Sequence, residues 1–114
     1  QAAAEFCAFY ATAQHMPDPA KVLADPDRAP IPNDASIQWA LVTAIADLAA
    51  RSESDVPITA AVSYARRLIA GGLAEMGTLL IQDLLQRSPA AQRSTAVVAL
   101  LTDRTNGIAA LLAA

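Results

Sequence analysis

Several stretches of this chain repeat apolar residues at three- and four-residue intervals, the spacing that lines them along one face of a helix. The most regular is residues 35–51, where Ile37, Leu41, Ala44, Ile45 and Leu48, with Ala40 between them, form the expected buried stripe. A second helix is expected after Ser54 or Asp55 as cap, with Pro57 in its first turn. Its buried face reads Ile58, Ala61, Val62, Ala65, Leu68 and Ile69. After a break at Gly71 and Gly72, residues 73–87 align Leu73, Met76, Leu80 and Leu84, widened by Leu79, Ile81 and Leu85. A helix apolar over so much of its circumference is the expected most buried element.

The same spacing joins Phe6, Phe9, Tyr10 and Ala13 into one face of an opening helix over residues 1–15. Towards the other end, Ser88 followed by Pro89 starts a short turn through Gln92. Ser94 or Thr95 then opens a helix carrying Val97, Val98, Leu100 and Leu101. Asn106 and Gly107 signal a stop, and residues 108–112 form a short apolar tail that must dock on the domain or on something else.

Between the opening helix and the rest lie residues 16–34, which hold five of the seven prolines. Proline has no N–H to donate and disfavours helical geometry in the residue before it, so this connector is stiff and cannot be helical throughout. Asp18 followed by Pro19 has the form of a cap and first helical residue, which predicts a short helix over residues 19–24 with Val22 and Leu23 turned to the core. Asp34 is the expected cap of the helix that follows.

The expected architecture is all-α: a small bundle of about five helices with a proline-rich connector after the first. One domain is expected, divided into 1–15 (first helix), 16–34 (connector) and 35–114 (bundle). Composition supports this, since hydrophobic residues make up 54% of 114 and aromatics only 4%, with alanine and leucine, the strong helix formers, dominant. The net charge of −3 argues against a phosphate-backbone binder, so no nucleic-acid partner is expected. No apolar run reaches the roughly 18–20 residues of a membrane span, because Asp47, Glu75 and Asp83 interrupt the best candidates. A chain starting at Gln1 is expected to be a piece of a longer protein or a processed precursor.

Candidate chemistry is sparse. Cys7 has no neighbouring His, Lys or Arg to activate it and reads as a small buried hydrophobe. His15, the one histidine, reads as a helix-end partner for the dipole. Asp25, Asp27 and Asp34 lack the spacing of a calcium loop and read as turn and cap residues. Arg66 and Arg67, the one adjacent basic pair of the helical segments, are candidate interface residues with a solvated face as the default. Asp83, set in the apolar run LLIQDLL, is a candidate for a buried ion pair with an arginine from a neighbouring helix. Trp39 falls off the stripe of its helix; packing under the proline-rich connector is favoured over an exposed interface anchor. Phosphate-loop, HExxH, CxxC and nucleophile-elbow motifs are missing, so no catalytic, cofactor-binding or metal residue is expected.

Taken in order, AAAEFCAFY, MPDPAKVLADPDRAPIPND, SIQWAL, YARRL and LLIQDLL resemble the C-terminal helical region of MoxR-like AAA+ ATPases of proteobacteria and their phages. The most specific part is the LPDP…LxDP…PxP connector, with Met16 in place of the usual leucine. Gly71 and Gly72 stand where that family tends to have prolines. The resemblance implies a lid-side helical subdomain of a cytoplasmic, hexameric, chaperone-type ATPase. The parent would use ATP and magnesium and work with its own core, neighbouring subunits and a von Willebrand factor A domain partner. Its Walker motifs would lie upstream of Gln1, so this chain itself is expected to be non-catalytic. The alternative is a free-standing helical protein–protein interaction module.

Overall fold

A computed structural model describes residues 17–52 and 54–102. Every regular element among them is a helix: α1 Pro19–Ala24, α2 Ala35–Ala50, α3 Asp55–Ala70, α4 Ala74–Arg87, α5 Pro89–Gln92 and α6 Thr95–Thr102. The all-α expectation therefore holds for this part of the chain. The opening helix with Cys7 and His15, and the tail after Thr102, lie outside the described residues.

The helix starts follow side-chain capping chemistry. Asp18 accepts from the Ala20 N–H at 3.0 Å and sets Pro19 at the first position of α1. Asp34 accepts from Ser36 and Ile37 at 2.9 and 3.1 Å to open α2. Ser54, rather than Asp55, caps α3 through Val56 N–H, and Ser88 caps α5 through Ala91 N–H. The break between α3 and α4 is a Schellman turn. Leu73 N–H reaches back to Leu68 O at 2.8 Å and Gly72 N–H to Ile69 O at 3.2 Å. Gly72 sits at φ 89°, where a side chain would be strained.

α4 packs along both α2 and α3, and α1 lies across α2 and α3. One core joins Val22 and Ala29 of the connector to Leu41, Ile45, Ile58, Tyr64, Leu68, Leu80, Ile81, Leu84, Val97 and Leu100. α3 carries more fully buried positions than α4, because Ala60 and Tyr64 join its expected stripe under the connector. The approach of α3 to α4 is set by Gly77. A Cβ there would fall 2.7 Å from Ile69 Cγ1 and 2.9 Å from Ala65 O. Gly77→Ala is therefore expected to destabilise by about 1–3 kcal/mol, since the gain of roughly 1 kcal/mol in helix propensity is outweighed by displaced backbone. Thermal unfolding of the variant checks this.

α2 is rotated about one residue from its expected setting. Gln38, Leu41, Val42, Ile45, Ala46 and Ala49 are buried, while Leu48, placed in the sequence-based stripe, is exposed. The alanines at 35, 40, 44, 46, 49 and 50 leave the apolar face too broad for the pattern to fix its centre.

Candidate functional site

Three polar side chains of the bundle, Gln38, Tyr64 and Arg67, converge on the connector. In residues 26–32 the three prolines donate nothing, yet their carbonyls still need partners. Three side chains supply them. Arg67 donates through Nη1 to Pro26 O at 2.6 Å and to Ala29 O at 2.7 Å. The Tyr64 hydroxyl donates to Pro30 O at 2.9 Å, and Gln38 Nε2 donates to Pro32 O at 2.6 Å. The Arg67 guanidinium also lies 5.7 Å from the centre of the Tyr64 ring, within cation–π range. Residues 26–32 thus form a strap latched across α2 and α3, with Ala29 buried and Ile31 packed against the core.

This arrangement corrects the solvated reading of the arginine pair. Arg67 faces the strap because it sits one turn beyond Tyr64 on the side of α3 that the strap crosses, whereas Arg66 is exposed. It also explains the rotation of α2. Gln38, not Trp39, faces the strap, and Trp39 is 56% exposed instead of packing beneath the prolines.

Asp83 finds its arginine on its own helix. Arg87 Nε donates to Asp83 Oδ1 at 2.8 Å, the i,i+4 neighbour relation, and Arg87 Nη1 reaches Asp47 Oδ1 on α2 at 3.1 Å. The expected partner from a neighbouring helix is thus replaced by a local one that bridges to α2. The Asp83 side chain is one-fifth exposed, at the edge of the buried stripe. Arg51 adds a further exposed contact to Asp47 at 3.1 Å. These carboxylates hold the Arg87 guanidinium in its charged form, and the cluster fastens the C-terminal ends of α2 and α4 together.

Burial raises the Tyr64 phenol above its ordinary value, with the Arg67 charge opposing in part. The neutral, donating form is therefore favoured in the folded chain. The native state holds this proton more tightly than the unfolded one, so its stabilising contribution is complete below pH 10, the unperturbed value, and declines as pH rises through the higher folded value. Urea midpoints above pH 10 should fall more steeply for this chain than for Tyr64→Phe, which has no proton to lose.

Among the described residues no group of three or more His, Cys, Asp or Glu side chains could hold a metal ion. Among them, too, no helix is long and apolar enough to cross a membrane. The Gln38–Tyr64–Arg67 set went unrecognised in the sequence because it faces a proline segment, not a reactive group; the surplus of connector carbonyls over donors was the available signal. Comparison with known protein families, curated proteins and solved structures finds no match.

Proposed function

We propose that this chain is a non-catalytic helical domain that works by contact, as an accessory or lid-side element of a MoxR-like ATPase. The observation that carries a contact role is Trp39. It is a large amphipathic ring more than half exposed on a helix whose opposite face is locked in the core, and such residues are favoured as interface anchors. Val56 and Val98 are also exposed. The polar groups that suggested chemistry have structural duties: Arg67 holds the strap, and Asp83 and Asp47 hold Arg87. The proposed partners are the ATPase core, neighbouring subunits and a von Willebrand factor A domain protein; ATP and magnesium would belong to the core.

The ATPase assignment rests on the order of the connector and helix motifs. The gene upstream of Gln1 tests it: a strand–GxxxxGK[ST]–helix unit in frame supports the reading, and a start codon or signal peptide immediately before Gln1 contradicts it. The second result favours the free-standing interaction module, for which exposed Trp39 serves equally. Tryptophan emission tests the contact surface in either case. A water-like wavelength that shifts to the blue with an added partner is expected, and an emission already typical of a buried ring would remove Trp39 from the argument.

A further inference from the structure

The α2–α3 face holds one segment of this chain, the strap, by side-chain donors on its main-chain oxygens. Ala29 and Ile31 each precede a proline, which restricts both to extended or polyproline II geometry, and Pro30 and Pro32 fix their own φ near −65°. The segment Ala-Pro-Ile-Pro is therefore preset in the conformation that proline-recognition grooves bind. Such grooves hold their ligands with aromatic rings and side-chain donors aimed at the ligand's carbonyls. The face under the strap has the same components: the Tyr64 hydroxyl on Pro30 O, Gln38 on Pro32 O, and Arg67 on Ala29 O and Pro26 O. One side of this ligand is open, since Pro30 is exposed. Three of the four contacts go to main-chain oxygens of residues 29–32, so a peptide presenting that extended backbone and a small residue at the position of Ala29 would satisfy them; the fourth, on Pro26 O, belongs to the turn closed by Ala29 N–H on Asp25 O.

We propose that the Gln38–Tyr64–Arg67 face is a recognition surface for proline-rich peptides of the type small–Pro–aliphatic–Pro, closed in cis by the chain's own strap. A partner's segment binds when the strap yields, so the strap acts as an autoinhibitory ligand. The cis copy competes at an effective concentration set by its anchorage to α1 and α2 at its two ends, and apparent affinity for an external peptide is reduced by the fraction of chains with the strap open. Weakening the strap must then tighten peptide binding, and a peptide that shares only the small–Pro–aliphatic–Pro core with the strap must bind as well, which complementation of a purely structural strap by its own sequence does not require.

The test uses the whole chain and two fluorescein-labelled peptides, the strap sequence DPDRAPIPND and one that keeps only Ala-Pro-Ile-Pro between unrelated flanks. Ile31→Asp, which removes a partly buried strap contact without touching the face, is expected to bind both peptides at least about tenfold more tightly than the unmodified chain, and binding of the strap sequence alone overturns the proposal. Adding Tyr64→Phe should weaken that binding, and a scrambled peptide without Pro-x-Pro should not bind. Absence of binding to Ile31→Asp with helix content intact, or binding indifferent to Tyr64→Phe, overturns the proposal. Should Ile31→Asp lose its helices, the milder Ile31→Ala takes its place. Amide shifts centred on Gln38, Tyr64 and Arg67 when the motif-only peptide is added to that variant support the site, and their absence with helix content intact overturns it.

Discussion

Leu80→Ala should lower the stability of the domain by about 2–5 kcal/mol, seen as a reduced urea midpoint at unchanged slope. Leu80 is fully buried on α4, the helix that packs along both α2 and α3. Truncation removes apolar surface from the core that these helices share and leaves a cavity there. Ile69 of α3 already lies close against Gly77, one turn before Leu80 on α4. For a small domain whose whole stability is about 5–15 kcal/mol, a loss at the upper end of that range would leave a large unfolded fraction at room temperature.

Arg67→Met is the second large effect, expected at about 2 kcal/mol. Methionine retains much of the apolar stem but withdraws the donor from Pro26 O and Ala29 O. Charge-assisted bonds contribute about 1.5–3 kcal/mol each when buried; the half-buried position of Arg67 lets water replace part of that. Tyr64→Phe removes a neighbouring tie to the same strap, so the double variant should lose less than the two single losses combined. A double-mutant cycle on urea midpoints checks both statements. An additive result would mean that the two side chains hold independent segments.

Local chemistry was legible in the sequence; facing was not. The boundaries of α1 and α5 follow from Asp18–Pro19 and Ser88–Pro89, because a capping side chain and a proline act within one turn. The break at Gly72 follows equally directly from glycine's freedom at positive φ. The setting of α2 did not follow, because its many alanines make several rotations nearly equal in burial. The choice was made by a contact six residues away in sequence, Gln38 to Pro32 O. Tyr64 and Arg67 were harder still to read. Their partners lie 34 to 41 residues distant, and nothing local distinguishes them from surface residues of an amphipathic helix. Asp83 pairs with Arg87, four residues on along its own helix, instead of with an arginine from a neighbouring one.

The latched strap is the centre of this account, and trypsin tests it directly at Arg28. That side chain is exposed, but the bond after it leads into buried Ala29, and proteolysis requires several residues to leave the surface together. Cleavage at Arg28 should be slow, governed by the equilibrium opening of the strap, and should accelerate markedly in Arg67→Met at unchanged helix content. Cleavage of the unmodified chain as fast as that of the isolated strap peptide would show that Gln38, Tyr64 and Arg67 do not hold the segment, and would contradict the account.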